Sequence, residues 1–222
     1  MRQLFEEELT KLHLHFSEMG MMVNEAIYKS VKAFINHDKE LAQEVIDQDH
    51  HINELELSLE KKCFELIALQ QPVTSDLRRI VTVMKACADL ERMGDHAVSI
   101  AKSTIRVKGT KRVLQIEAEI GELSGKVKEM VRTVLEAYLK QDVEEARKIA
   151  ASDTAVDALA EVIHQQCIEE MKADPELVLG GTDYLLVSGY LERIGDYVTN
   201  ICEWIVYLET GTITELNPHH SI

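Results

Sequence analysis

Two six-residue strings, Leu90-Glu91-Arg92-Met93-Gly94-Asp95 and Leu191-Glu192-Arg193-Ile194-Gly195-Asp196, agree at five of six positions and lie 101 residues apart. Upstream of them the two halves align at an offset of 104. Leu9, Leu12, Phe16, Met19 and Val23 fall on Val113, Ile116, Ile120, Leu123 and Val127. Ala33-Phe34-Ile35 falls on Ala137-Tyr138-Leu139, Asp38 on Asp142, Ala42 on Ala146, Asp49 on Asp153 and Cys63 on Cys167. An internal repeat constrains a fold strongly, because both copies must build the same unit. Chance likeness between two amphipathic helices would not also reproduce the Gly and the Arg.

The unit itself reads as helices. In the first segment Phe5, Leu9, Leu12, Phe16, Met19, Val23 and Ala26 recur at steps of four and three, with Ala33 further along the stripe. That is a heptad-like seam, long enough for near-parallel packing in a bundle. No stretch alternates with period two for long enough to argue a strand. Breaks are few. His37-Asp38 ends the first helix and caps the second. Gln70 to Ser75 separates the second from the third, with Thr74 or Ser75 as N-cap. Gly109 follows the third, and the fourth runs from about Arg112 to Lys140. Asp142 caps the fifth, with Glu145 completing a capping box. Ala173-Asp174-Pro175 and Gly180-Gly181-Thr182 open the sixth, Gly211 ends it, and Asn217 to Ile222 reads as a loose tail. The fold class is therefore all-α: two tandem, pseudo-repeated three-helix bundles made of six long helices. The units span residues 1–108 and 109–211, followed by a tail over 212–222. Each is large enough to hold its own core.

Composition narrows what such a molecule can do. The chain has 39 Asp and Glu against 24 Lys and Arg, a net charge of −15. That field repels phosphate backbones and anionic lipid, so neither nucleic acid nor a membrane surface is an expected partner. It favours cations or a basic patch on a partner protein, although solubility alone also explains it. No apolar run approaches the ~20 residues of a membrane span, and the acidic start, Met1 to Glu8, is unlike a signal peptide. Cys63, Cys87, Cys167 and Cys202 form no CxxC and read as buried, reduced thiols of a cytoplasmic protein.

The repeated string carries the chemistry. Glu91 and Asp95, and Glu192 and Asp196, stand four apart and share a helix face. On the preceding helices Asp153 and Asp157 repeat that spacing, and Asp49 and Asn53 are their counterparts. An unpaired carboxylate at a helix seam costs several kcal/mol or takes up a proton, and a shared cation relieves the cost. Oxygen-rich, acidic sites of this kind suit hard metals such as Mg, Ca, Mn or iron, and zinc also accepts carboxylates. Asn53 removes one charge from the first site. The plainer reading is solvated i, i+3 salt bridges, Arg92 to Asp95 and Arg193 to Asp196. Gly94 and Gly195 point to close approach of the neighbouring helix, either for packing or to bring its carboxylates within reach. His96 has Tyr197 as its counterpart, so a role common to both units does not need that imidazole. There is no HExxH, no Gly-rich phosphate loop, no nucleophile–base pairing and no Glu-x-x-His pair of the di-iron bundles.

With these residues the sequence resembles the PhoU family, accessory and regulatory proteins of bacterial phosphate-specific transport. Beside the two strings, Gln71-Pro72-Val73-Thr74-Ser75-Asp76-Leu77-Arg78 and Asn200-Ile201-Cys202-Glu203-Trp204 carry the likeness, which runs over roughly residues 3–211. The resemblance implies a cytoplasmic homodimer of two three-helix bundles and a non-enzymatic role. It implies a negative regulator of the phosphate-starvation response that couples the ATPase subunit of a phosphate ABC transporter to a sensor histidine kinase. It also implies metal binding, by iron, zinc or other divalent ions, at Glu91 and Asp95 and at Glu192 and Asp196. Asp49, Asn53, Asp153 and Asp157 face them from the neighbouring helices. Two other classes stay open: a carboxylate-bridged, oxidase-like metal enzyme, and a plain helical interaction protein without metal.

Overall fold

A computed structural model describes residues 2–106 and 111–217. The turn expected around Gly109 and the tail over 218–222 lie outside the described residues. Six helices run α1 (Arg2–Asn36), α2 (Lys39–Gln70), α3 (Thr74–Arg106), α4 (Leu114–Lys140), α5 (Val143–Ala173) and α6 (Val178–Thr210), and there is no strand among the described residues. Helices α1–α3 form one unit and α4–α6 the other. Asp38 and Asp142 both cap as the sequence suggests, accepting from Leu41 N at 2.9 Å and Glu145 N at 3.0 Å. The box at Asp142 is only half made: the Asp142 N–H donates to the Ala137 carbonyl at 2.9 Å, and the Glu145 carboxylate accepts from Lys148 Nζ at 3.1 Å instead. The sixth helix starts earlier than expected. Asp174 caps a single 3-10 turn over Pro175–Leu177, and Gly180-Gly181 already lie within α6.

The heptad stripe on α1 is buried from Phe5 to Val23, then passes to Ile27 and Val31 rather than Ala26. A straight helix drifts off a seven-residue repeat in this direction. All four cysteines are free and buried in the helix interior. Burial pushes the Cys63 and Cys167 thiols up to about 12.

The units do not hold separate cores. Helices α1 and α3 of the first pack on α4 and α6 of the second, and one apolar cluster runs through both. The repeat-equivalent rings Phe34 and Tyr138 explain why. Tyr138 on α4 crosses to lie tilted against Phe16 at 4.4 Å and His13 at 5.7 Å, while Phe34 on α1 meets Tyr184 edge-on at 5.9 Å. Each unit thus completes its interior with a ring from the other. Outside this block, α2 and α5 touch only helices of their own unit among the described residues. The seams α2/α3 and α5/α6 therefore flank the molecule.

The junction holds two unlike polar joints. Glu117 on α4 is buried, and three groups from both units surround it. Arg112 donates to both of its carboxylate oxygens, Tyr184 Oη donates at 2.8 Å, and His37 Nε2 lies 3.4 Å away. Arg112 Nη2 also donates to the Ile35 carbonyl at 2.6 Å, at the end of α1. At the repeat-equivalent place stands His13, whose Nε2 is buried with no hydrogen-bond partner, as is Tyr138 Oη. Burial first, then the nearby Arg79 guanidinium, holds the His13 imidazole down to about 4 from 6.5. The folded chain thus prefers neutral His13, so this contribution is intact above pH 6.5 and is lost as pH falls from there through about 4. Between pH 7 and 5 the loss is about 2 kcal/mol. Urea midpoints of His13→Phe should fall less over that interval than those of the unsubstituted chain. Equal falls would remove His13 as the cause.

Candidate metal centres on the two outer seams

Of the four carboxylates expected on the second seam, Asp153, Asp157 and Asp196 lie near enough for their charges to act on one another where α5 meets α6. Asp153 is fully buried. Its Oδ2 accepts from Thr199 Oγ1 at 3.3 Å and Asn217 Nδ2 at 3.0 Å, while its Oδ1 has no hydrogen-bond partner. Burial, then the neighbouring Asp157 and Asp196 charges, push its carboxyl up to about 6. Asp157 and Asp196 are half-buried beside it, and Glu192 is half-buried one turn before Asp196.

Gly195 makes the approach possible. A Cβ built there would sit 2.5 Å from Asp153 Oδ1 and 3.4 Å from Val156 Cγ1. No side chain fits without moving the carboxylate. The same glycine in the first unit is looser: a Cβ at Gly94 would lie 3.4 Å from Ile52 Cδ1 and 3.8 Å from Asp49 Oδ1. The close approach suggested by the repeat is therefore carboxylate-directed at Gly195 and mainly apolar at Gly94.

On the first seam Asp49 is half-buried, and its Oδ2 accepts from Asn53 Nδ2 at 3.2 Å. Burial, then Asp95, raises the Asp49 carboxyl. Burial, then Asp95, Glu56 and Asp49, lift Glu91 to about 6. Asp95 itself is exposed. The repeat does not single out Glu56, yet it joins this group. It lies seven residues after Asp49, on the same face, and burial followed by Glu60 raises its carboxyl. Its repeat equivalent is Ala160, so the two acid groups are built differently. Arg92 does not serve as the expected partner of Asp95. It stands 3.7 Å from Asp89 and over the Tyr197 ring. Asp89 accepts from Trp204 Nε1 at 3.0 Å and Asn200 Nδ2 at 3.4 Å, which ties α3 to α6.

The donors are carboxylate and amide oxygens, the chemistry of hard cations. A buried Asp153 Oδ1 without a donor is an acceptor that a cation would satisfy. The carboxylates are near enough to repel but not drawn tight. Among the described residues, no three His, Cys, Asp or Glu side chains converge into a ready metal-holding set. A bound cation would neutralise the facing acids of α2 and α3, or of α5 and α6, and so fasten each outer helix to the junction.

The tail corrects the sequence reading as well. Residues 211–217 fold back on α6, with Leu216 N donating to Glu203 Oε1 at 2.9 Å and Asn217 reaching Asp153. Asn217 is thus part of the site, although the sequence places it in a loose tail.

Comparison with known proteins bears on the fold and the family. A relative in Clostridium acetobutylicum, named a phosphate-specific transport system accessory protein PhoU homolog, is 39% identical over 97% of this chain and 99% of its own. The accessory protein PhoU of Escherichia coli is 32% identical over 93% of this chain and 86% of its own. The crystal structure of the phosphate transport system regulatory protein PhoU from Streptococcus pneumoniae matches with a TM-score of 0.89. It is 36% identical and covers 95% of this chain and 99% of that one. The PhoU domain model matches twice, over residues 16–104 and 120–205. Each match takes in one copy of the Leu-Glu-Arg-x-Gly-Asp string and the helix that faces it, and on that double match the chain belongs to the PhoU family.

Proposed function

We propose that the chain is a negative regulator of the phosphate-starvation response and of phosphate uptake. It works in the cytoplasm as a homodimeric adaptor between the ATPase subunit of a phosphate ABC transporter and a sensor histidine kinase. The observation that carries this reading is the end-to-end likeness to accessory proteins of phosphate-specific transport, over 97% of the chain in the Clostridium relative. No helix among the described residues is long and apolar enough to cross a membrane, so contact with a transporter would be through its soluble parts. The net charge of −15 favours a partner surface that carries basic groups.

In this reading Asp49, Asn53, Glu91 and Asp95 hold one cation site, and Asp153, Asp157, Glu192 and Asp196 the other. Iron or zinc are the first candidates, with Mg, Mn and Ca next. The cation's part is to draw together carboxylates that otherwise repel across α2/α3 and α5/α6. Kinase-dependent reporter output in phosphate-replete cells tests the link. Asp95→Ala with Asp196→Ala should release repression and lower bound metal together. Intact repression alongside lost metal would leave the metal without a regulatory part. Co-purification of the transporter ATPase subunit and of the kinase then separates the two contacts.

A second reading is a helical interaction protein with no stoichiometric metal. It is favoured by the spread of the acids, no three of which converge among the described residues. Elemental analysis of protein purified without added metal decides between the two.

A further inference from the structure

We propose that Asn217 and the strap that carries it compete with a cation for Asp153, so that the two halves bind cations with unequal strength. The inference rests on the reading that the acidic seams bind a divalent cation. The chain leaves α6 at Gly211, where φ is +75°, and turns back. Two hydrogen bonds peg it: Leu216 N to Glu203 Oε1 at 2.9 Å, and Asn217 Nδ2 to Asp153 Oδ2 at 3.0 Å. The pegged segment walls a cavity with Asp153, Asp196, Glu203 and Glu215. Asp153, fully buried with Oδ1 lacking a hydrogen-bond partner, points to a ligand independently of the acids around it.

The chemistry of the peg sets its effect. A carboxylate oxygen that accepts from an amide N–H has that lone pair occupied. An amide nitrogen carrying two hydrogens is no ligand for a hard cation, whereas its carbonyl oxygen is. Asp153 Oδ2 already accepts two hydrogen bonds, from Thr199 and Asn217. A cation that takes Oδ2 together with the open Oδ1 therefore displaces one of them, and the Asn217 amide, carried on the strap, is the one that can leave. Among the described residues the first half has no such device. At the offset of 101, Asn217 corresponds to Ile116, which is buried in the core at the start of α4. There Asp49 is held by Asn53 of its own helix, at 3.2 Å, and among the described residues no returning segment donates to it.

Calorimetric titration of the full chain with Mn²⁺ alone, paired with exopeptidase trimming from the C-terminus, tests this. Asn217→Ala should tighten one class of site about tenfold, the worth of a hydrogen bond to a charged acceptor, and leave the other class unchanged. Asp153→Asn should abolish that class. In the unsubstituted chain Mn²⁺ should speed trimming of the strap over the concentration range that fills the weaker site. Mn²⁺ binding that is unaltered by Asn217→Ala would overturn the strap while the cation reading stands. Weaker binding in Asn217→Ala would make Asn217 a ligand through its carbonyl and overturn competition. No Mn²⁺ bound by any of the three proteins would overturn both.

Discussion

Arg112→Ala is expected to lower the stability by about 2–4 kcal/mol, a little under the ~3–5 kcal/mol of a fully buried ion pair that loses one member, because Arg112 is partly exposed. Glu117 is 2% exposed, so its charge cannot be handed to water when the guanidinium goes. Tyr184 and His37 remain, but each supplies at most one donor where Arg112 supplied several. The same variant frees the Ile35 carbonyl at the end of α1. The reverse substitution is much milder. Arg112 is partly exposed and can turn to solvent, and Glu117→Gln still offers an oxygen to Tyr184 Oη. Its cost should stay within about 1 kcal/mol. Urea midpoints of both variants check the asymmetry. Equal losses would mean that the pair, rather than the buried charge, sets the cost.

Gly195→Ala is expected to destabilise by about 2–3 kcal/mol, the usual penalty for overfilling a packed contact. The atom it meets, Asp153 Oδ1 at 2.5 Å, ends a short side chain held by Thr199 and Asn217. Moving it breaks those bonds or pushes α5 off α6. The gain of ~1 kcal/mol from a better helix former offsets only part of this. At Gly94 the new methyl finds Ile52 and Asp49 at 3.4 and 3.8 Å, ordinary contact distances. Gly94→Ala should therefore sit within about 1 kcal/mol of the unsubstituted chain, on either side. Thermal midpoints of the two variants, in chelator-treated protein, give the comparison. Similar shifts would show that the two seams are packed alike.

Much of the architecture is written locally. The caps at Asp38 and Asp142, the period of the α1 stripe and the duplicated Leu-Glu-Arg-x-Gly-Asp string depend on residues within a few turns of one another. So does the pairing of Glu91 with Asp95 on one face. The missed features are those whose partner is remote. Glu117 looks like one surface acid beside a seam until Tyr184, 67 residues away, closes over it. Asn217 meets Asp153 from 64 residues off, along a segment with no helical period to announce it. Glu56 was legible, since it lies two turns beyond Asp49 on the same face. Its counterpart, Ala160, breaks the repeat, so the duplication does not point to it. The repeat shows what the halves share, and so hides where they differ.

The exchange of Phe34 and Tyr138 across the junction bears on how the molecule comes apart. A chain of two self-sufficient bundles would melt in two steps, the weaker first. Here each interior borrows a ring from its neighbour, so losing one half opens the other. Heating should give a single endotherm whose calorimetric enthalpy equals the van't Hoff value. Two resolved peaks would show that the borrowed rings couple the halves too weakly to matter. If the single endotherm is found, the repeat amounts to two copies of a sequence but one unit of cooperativity.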